Sequence, residues 1–406
     1  MSAVLRPDTP AQVQEAIAWA AAESTPLELV GRGSKRGLGR PLQVAYRLDL
    51  SALSGVTLYE PEELVMAVAP GTRLAEIEAL LAEHRQQLGF EPPDLGPLLG
   101  EPAGGGSIGG AFACNLAGPR RFKAGAARDH LLGIKAVSGR GEAFKSGGRV
   151  VKNVTGYDFC KLLTGSYGTL AAATELTFKV VPAPEKLRTI LIFGLDDARA
   201  VQFMTEAAAS PHDVSAIAHL PRVVARRSEL TMVSRAGANV TALRIEGPAA
   251  SVQARAQGLS LQFARKAAVE DMRSQSSSTL WREIRDVRYL AAAQDRLVWR
   301  LSVPPAQAAE VVGRITAGIA GAEWFYDWAG GLVWLSLAGD PMAGAVRAAM
   351  APCGGHATLI RAPAAARASV PVFQPQPPAL AALSLRVKDS FDPRRILNPG
   401  RMSAGV

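Results

Sequence analysis

The sequence has little cysteine and no long hydrophobic segment. Its three cysteines lie far apart in 406 residues, so they form neither a C-x₂-C metal pair nor a cysteine set for an iron–sulfur cluster. Such scarcity is typical of a reducing compartment. No uncharged apolar run of about 18 residues occurs, and the start of the chain, with Arg6 and Asp8, is not that of a signal peptide. We therefore predict a soluble, cytoplasmic protein.

Charge of one sign does not dominate the chain. Lys and Arg number 45 against 36 Asp and Glu, a net charge of +9, and the excess is dispersed along the sequence. No nucleic-acid partner is therefore predicted. Hydrophobic residues make up 48% and charged residues 20%, which excludes a disordered or fibrous chain. The length is typical of two domains.

Glycine is concentrated in three turns of the first half of the chain. Glycine permits a positive φ and lets a ligand approach the backbone N–H groups, so a glycine cluster before a helix favours an anion. The turns are Gly31-Arg32-Gly33-Ser34 after a predicted strand at 27–30, Gly104-Gly105-Gly106-Ser107-Ile108-Gly109-Gly110 before a predicted helix, and Gly165-Ser166-Tyr167-Gly168 before a predicted strand.

Each of the first two turns has an alternative interpretation. Gly37 and Pro41 interrupt any helix after the first turn, which excludes a Rossmann turn, and the G-K-[ST] ending of a P-loop is absent. A flexible surface hairpin is therefore the alternative. The second turn is alternatively a disordered linker. Ile108, Phe112 and Leu116 recur at four-residue intervals, however, which favours a helix there.

The remaining pattern predicts two domains that meet at Pro182-Ala183-Pro184, because prolines at this spacing interrupt both strands and helices. Before this break we predict a helix at 10–23 and strands that include 56–60 and 131–138. After it, strand-like runs at 189–193, 241–245, 297–303 and 332–337 alternate with alanine-rich helical segments. This alternation is typical of a smaller α+β domain.

Arginines recur at a helical spacing in the second half, at Arg282, Arg285 and Arg288. They form either a solvated helix face or a set of guanidinium groups for a substrate carboxylate or a partner. The five histidines show no spacing typical of metal ligands. No metal site is therefore predicted.

Further motifs add to the glycine turns in both halves of the chain. They are Val151-Lys152-Asn153-Val154-Thr155-Gly156-Tyr157-Asp158, Gly165-Ser166-Tyr167-Gly168-Thr169-Leu170, Asp392-Pro393 and Ile396-Leu397-Asn398-Pro399-Gly400-Arg401. Together with the glycine turns, they resemble the FAD-linked oxidases of the vanillyl-alcohol-oxidase type, which carry the PCMH-type FAD-binding domain. Two shorter segments are Asn115-Leu116-Ala117-Gly118-Pro119-Arg120-Arg121 and Gly354-Gly355-His356-Ala357-Thr358. These segments resemble more specifically the E subunits of bacterial glycolate oxidase (glycolate dehydrogenase).

The resemblance implies an α+β fold with three parts. These are a two-subdomain FAD-binding domain at 1–184, an α+β cap domain at 185–375 and a C-terminal segment at 376–406 that packs back on the first domain. It also implies that two turns hold the FAD pyrophosphate, so that Gly109→Val is expected to clash with it. The implied pyrophosphate residues are Gly31, Arg32, Gly33, Ser34, Gly106, Ser107, Ile108, Gly109 and Gly110. The implied flavin and ribityl residues are Asn115, Asn153, Gly165, Ser166, Tyr167, Gly168, Asn398 and Arg401.

The resemblance also bears on attachment of the cofactor and on catalysis. Relatives that bind flavin covalently carry a histidine in the first turn, where this sequence has Ser34 and Lys35, so non-covalent FAD is implied. Catalytic relatives that oxidise D-2-hydroxy acids carry paired histidines and an acidic residue in the cap. Here only His356 is present at that place. It is a candidate catalytic base with no metal.

The function implied by the resemblance is that of an FAD-binding subunit in a glycolate (2-hydroxy acid) dehydrogenase complex. The implied partners are a second, catalytic FAD-bearing subunit and an iron–sulfur subunit, through which the chain meets the membrane only indirectly. The implied substrate is a small 2-hydroxy acid. Two alternatives stay open: a stand-alone FAD-dependent oxidoreductase acting on another substrate, and a non-catalytic assembly subunit.

Overall fold

The computed structural model describes residues 3–150 and 156–404. Its strands are β1 (Ala3–Leu5), β2 (Leu27–Val30), β3 (Tyr46–Asp49), β4 (Val56–Glu60), β5 (Val65–Val68), β6 (Gln86–Gln87), β7 (Leu131–Ser138), β8 (Ala143–Gly147), β9 (Ala171–Lys179), β10 (Val181–Pro182), β11 (Lys186–Phe193), β12 (Ala216–Leu220), β13 (Val240–Gly247), β14 (Ala268–Arg273), β15 (Leu297–Ser302), β16 (Glu323–Asp327), β17 (Leu332–Leu337) and β18 (His356–Arg361).

The helices follow the same order. They are α1 (Pro10–Ala22), α2 (Leu74–Glu83), α3 (Ile108–Ala113), α4 (Arg121–Ala124), α5 (Ala127–His130), α6 (Phe159–Leu163), α7 (Asp197–Ala209), α8 (Arg222–Ala225), α9 (Thr231–Ser234), α10 (Ala249–Ala264), α11 (Ser274–Arg285), α12 (Arg288–Ala291), α13 (Ala308–Gly318), α14 (Ala343–Met350), α15 (Ala364–Ser369) and α16 (Pro378–Phe391). Three 3₁₀ turns lie at Pro97–Leu99, Pro305–Gln307 and Trp328–Gly330.

Two small sheets build the N-terminal region. In the first, the parallel strands β1, β3 and β2 pack against α1. The Thr9 side chain caps α1 by accepting from the Gln12 N–H, and Val13 and Ile17 are fully buried. The second sheet is antiparallel, in the order β4-β5-β9-β7-β8. The strands predicted at 27–30, 56–60 and 131–138 are confirmed as β2, β4 and β7.

An eight-stranded antiparallel sheet follows, in the order β14-β11-β13-β12-β16-β17-β15-β18. Alternate residues of β15 face opposite sides, as strand geometry requires. Trp299 belongs to the core that includes α7, α10, α13 and α14, whereas Val298 belongs to the core shared with Leu38 of the N-terminal region. The predicted run at 332–337 is β17. The domain boundaries at 184/185 and 375/376 stay predictions.

The C-terminal segment returns to the N-terminal sheet. Leu397 forms a parallel bridge with Leu27, and two backbone hydrogen bonds flank it: Leu27 N–H to the Ile396 carbonyl at 2.7 Å, and Asn398 N–H to the Leu27 carbonyl at 3.0 Å. The chain end therefore extends the sheet at the edge of β2, directly before the first glycine turn.

A cluster of four charged side chains joins the N-terminal region to the eight-stranded sheet. Glu91 accepts hydrogen bonds from the Arg120 N–H and from both Arg244 amino groups, each at 2.9 Å. Arg120 in turn donates to Glu246 at 2.6 and 2.8 Å. Burial alone raises the pKa of Glu91, but Arg244 and then Arg120 outweigh it and lower this pKa to about 2.

We expect this cluster to make the protein acid-sensitive. The native Glu91 carboxyl has a depressed pKa, whereas the unfolded one has an ordinary value of about 4.3, so the unfolded chain binds a proton that the native chain does not. The resulting stability, about 3 kcal/mol, is complete above pH 5 and is lost as the pH falls towards 2. Urea unfolding between pH 6 and pH 2.5 measures it. Glu91→Gln removes this part of the pH dependence of the free energy of unfolding, whereas Glu62→Gln, at an exposed position, keeps it. If the free energy of unfolding depended on pH equally in wild type and in Glu91→Gln, Glu91 would not be the cause of the acid sensitivity.

Candidate functional site

The three glycine turns meet around one cavity, which we call the turn cavity. It holds about 1070 Å³ of empty space, part of it open to solvent. The turns come together because β2 leads into the first turn, α3 begins in the second and α6 ends at the third. Of the site residues inferred from the sequence, those that line it are Gly31, Arg32, Gly33, Ser34, Ser107, Gly109, Gly110, Ser166, Tyr167, Gly168, Asn398 and Arg401.

Other inferred residues lie beside this cavity without lining it. Gly106 precedes Ser107, and Ile108 is fully buried in the core beneath α3. The Asn115 side chain accepts from the Arg128 N–H at 3.1 Å, and the Gly165 N–H donates to the Phe112 carbonyl at 3.0 Å. Their contact with a cofactor stays a prediction. Asn153 falls outside the described residues.

His356, the candidate base, is exposed at the start of β18 and pairs with Ser302 of β15. It is not among the described residues that line the turn cavity. Its catalytic role therefore stays a prediction that this geometry does not support.

The first and second turns touch each other. A Cβ added to Gly31 would lie 2.6 Å from the Ser107 Oγ, so only glycine allows this approach at position 31. Ser107 is the N-cap of α3, and its side chain accepts from the Gly110 N–H. The backbone of the first turn therefore lies against the start of α3. This helix ends at Ala113, before the Leu116 that the predicted helical face included.

Gly109 is required for a reason other than the expected one. A Cβ there would lie 2.7 Å from both the carbonyl oxygen and the Cβ of Pro70, and the Gly109 N–H donates to that same carbonyl at 2.9 Å. Gly109→Val would thus disturb the packing of α3 on the turn before α2, whether or not a cofactor is present. The neighbouring Gly110 differs, because the nearest atoms to an added Cβ lie at 3.5 Å.

The turn cavity also contains a lysine, which the sequence reasoning overlooked in favour of backbone N–H donors. The Lys35 Nζ donates to the Ser34 Oγ at 3.3 Å and lies 3.5 Å from the Cβ position of Gly110. Burial lowers the pKa of Lys35. Among the described residues it has no acidic partner at ion-pair distance. The available signal was its place in the sequence, directly after Ser34 in the first turn.

Arg401 closes the first turn from the C-terminal segment. Its guanidinium donates to the carbonyls of Arg36 and Leu38, each at 3.2 Å, and pairs with Glu28 at 3.3 Å. Arg36 also pairs with Glu28, at 2.8 Å. Through these contacts Arg401 positions the backbone of the first turn.

Asn398 joins the third turn to β2. Its Oδ1 accepts from the Leu29 N–H at 2.8 Å, and its Nδ2 donates to the Tyr167 carbonyl at 2.7 Å. A Cβ on Gly168 would lie 2.9 Å from that Nδ2. The Tyr167 ring packs edge-on against Phe373, with 4.9 Å between ring centroids, and burial raises the pKa of its hydroxyl.

The donor set of the turn cavity fits the diphosphate of a dinucleotide such as FAD. Lys35 and the hydroxyls of Ser34 and Ser107 lie close together in this cavity, which suits a buried dianion. The other walls are apolar and suit a large aromatic ring system. These apolar residues are Leu29, Phe112, Leu131, Ile134, Leu163 and Leu176.

The arginines of α11 and α12 lie elsewhere. Arg282 is exposed, Arg285 pairs with Asp286 at 2.8 Å, and Arg288 pairs with Glu229 at 2.9 Å. This arrangement is that of a largely solvated helix face with local ion pairs. In the chain from 3 to 150 and from 156 to 404, no group of three or more His, Cys, Asp or Glu side chains is arranged to hold a metal ion. No helix in those ranges has both the length and the apolar character needed to cross a membrane.

The chain is similar to several known proteins. Residues 1–147 match the family model of an FAD binding domain. Over 397 residues the chain is 32% identical to the glycolate oxidase subunit GlcE of Escherichia coli (strain K12), covering 97% of this chain and 96% of that protein. Over 151 residues it is 32% identical to the glycolate oxidase subunit GlcD of Bacillus subtilis (strain 168), covering 37% and 30% respectively. A structure of p-cresol methylhydroxylase with substrate bound has a TM-score of 0.70 at 13% identity, covering 99% of this chain and 88% of that one, which shows a shared fold.

Proposed function

Since this chain belongs to the family of FAD-linked oxidoreductases that includes the glycolate oxidase subunit GlcE, we propose that it is the FAD-binding subunit of a multi-subunit glycolate (2-hydroxy acid) dehydrogenase. The α+β fold expected from the motifs is confirmed. The observation that carries the proposal is the turn cavity, in which glycine turns far apart in sequence surround Lys35 and two serine hydroxyls beside apolar walls. The complex would oxidise glycolate to glyoxylate.

Different residues of the turn cavity would hold different parts of FAD. Lys35 and the hydroxyls of Ser34 and Ser107 would hold the diphosphate, and the apolar walls would exclude water from the ring. When bound, FAD supplies the acceptor for the hydride of a hydroxy acid. The chain itself supplies the charge balance and the orientation.

Attachment of FAD is proposed to be non-covalent. Among the described residues that line the turn cavity there is no histidine. A cysteine is present, Cys114, but burial raises the pKa of its thiol to about 11, so it carries a proton at neutral pH and is a poor nucleophile. Flavin should therefore be released into solution when the protein is denatured with acid.

The partners proposed are a second FAD-bearing catalytic subunit and an iron–sulfur subunit. Two of the relatives are named as different subunits of glycolate oxidase, GlcE and GlcD, which supports a complex of several subunits. The cysteines Cys114, Cys160 and Cys353 are separate from one another in sequence, so electrons would leave this chain through a partner. The membrane would be reached only through the complex.

Anaerobic titration with glycolate tests the proposal. We expect the isolated chain to hold about one FAD, which glycolate does not bleach until the partner subunits are added. Bleaching of the isolated chain would instead indicate a stand-alone oxidoreductase. Well-folded protein that neither contains nor takes up flavin would refute the cofactor role and favour a purely structural subunit.

A further inference from the structure

Two arginines stack on one indole ring where the eight-stranded sheet meets the N-terminal region. The guanidinium carbon of Arg121 lies 4.6 Å, and that of Arg300 5.0 Å, from the ring centroid of Trp328. Arg121 begins α4, and Arg300 lies at the middle of β15. The two cations therefore come from opposite sides of this interface. Stacking on a ring leaves the N–H groups of a guanidinium available to a ligand.

Their lack of acidic partners distinguishes these two arginines from their neighbours. Arg120, Arg244 and Arg401 each pair with a carboxylate, with N–O distances of 2.6, 2.9 and 3.3 Å. Within 3–150 and 156–404, Arg121 and Arg300 take part in neither an ion pair nor a side-chain hydrogen bond. Partial burial of two unpaired like charges is unfavourable. Burial lowers the pKa of Arg300 to about 10, so it stays charged at neutral pH.

The pair lies next to the turn cavity. Arg300 interacts electrostatically with Arg121 and with Tyr167. Tyr167 lines the turn cavity. Arg300 shares its sheet face with Val298, which contributes to the core that Leu38 and Cys114 also contact. An anion held by the two guanidinium groups would therefore lie beside the apolar walls of the turn cavity.

The indole that carries both cations is held firmly. Trp328 is 6% exposed, its ring N–H donates to the Gly118 carbonyl at 2.9 Å, and its backbone N–H donates to Asp327 at 2.7 Å. Its φ of 53° is in the left-handed region, which is costly for a tryptophan. Both guanidinium groups stack on this strained and buried ring, and a binding site requires such a firmly held support.

We propose that Arg121 and Arg300 form a binding site for a small carboxylate, with Trp328 as their platform. Resting on the proposed function, the carboxylate is that of the 2-hydroxy acid. The site would draw the anion to the interface by charge and orient it by charge-assisted hydrogen bonds.

Calorimetric titration of the purified full chain with glycolate tests this site, because binding heat is measured whether or not flavin is reduced. We expect Arg300→Gln and Arg121→Gln each to weaken glycolate binding about 10- to 100-fold, the range for one charged hydrogen-bond partner. Arg300→Lys should lose less. The matched control is Arg282→Gln, which removes the same charge at an exposed position and should leave binding unchanged. Ethane-1,2-diol, which lacks the carboxylate, should not bind.

The outcomes separate this inference from the proposed function. A wild-type chain that holds FAD but gives no heat with glycolate overturns the carboxylate site and leaves the cofactor role standing. Equal affinity in wild type and in both glutamine variants also overturns it. A chain without FAD that still binds glycolate through the arginines overturns the proposed function alone. If Arg300→Gln does not fold, which its melting curve shows, Arg121→Gln and Arg300→Lys carry the test.

Discussion

Gly110→Leu yields a folded protein whose flavin content is about a tenth of the wild-type value or less. An added Cβ at Gly110 would have the Lys35 Cδ and Nζ and the Ser107 Oγ as nearest atoms, all at 3.5 Å. The backbone thus accepts the side chain, and leucine is a better helix former than glycine by several tenths of a kcal/mol. The rest of the leucine, however, occupies the place where the diphosphate would meet Lys35, and a loss of 1.4 kcal/mol in binding is already tenfold.

The absorbance ratio of flavin to protein measures this effect, together with the melting temperature. Gly313→Leu is the matched control, because Gly313 lies in α13, is exposed and has no atom within 4 Å of an added Cβ. Gly109→Val is the poorer test, since its clash is with Pro70. A Gly110→Leu protein that keeps its full complement of flavin would show that the diphosphate does not lie at the start of α3.

The elements that were predictable from sequence are those set by neighbouring residues. β2 and β17 are short apolar runs bounded by turns, and α1 begins at a threonine cap followed by proline. Each signal spans a few neighbouring residues, so it is recognisable from the sequence alone. The glycine turns belong to the same class, because a positive φ is a local requirement, observed at Gly33, Gly165 and Gly168.

The contacts that decide the site were not predictable in this way. Asn398 binds a backbone N–H that lies 369 residues earlier, and the unexpected contact of Gly109 is with Pro70 in another turn. Arginines are also indistinguishable in sequence, although Arg120 is paired and Arg121 is not. Whether a charge is balanced depends on which side chains meet across the fold, and composition does not contain that information.

A buried ion pair holds the C-terminal segment that supplies Asn398. The Lys388 Nζ donates to Asp392 at 2.7 Å and to the carbonyls of Thr169 and Leu397 at 2.6 and 3.0 Å. Asp392 also accepts from the N–H groups of Ile396 and Leu397. Lys388 and Asp392 are 1% and 0% exposed. This one pair therefore ties α16, the third turn and the chain end together.

Lys388→Met is accordingly expected to lower the free energy of unfolding by about 3–5 kcal/mol, because the Asp392 carboxylate loses its cation while it stays buried. Urea unfolding measures the loss. The control is Lys266→Met, which breaks a lysine–carboxylate pair of similar length, 2.8 Å to Glu206, at the surface and should cost at most about 1 kcal/mol. Equal costs for the two variants would mean that water reaches Asp392. A large cost for Lys388→Met alone should come with weaker FAD binding, since Asn398 and Arg401 are positioned by the same segment.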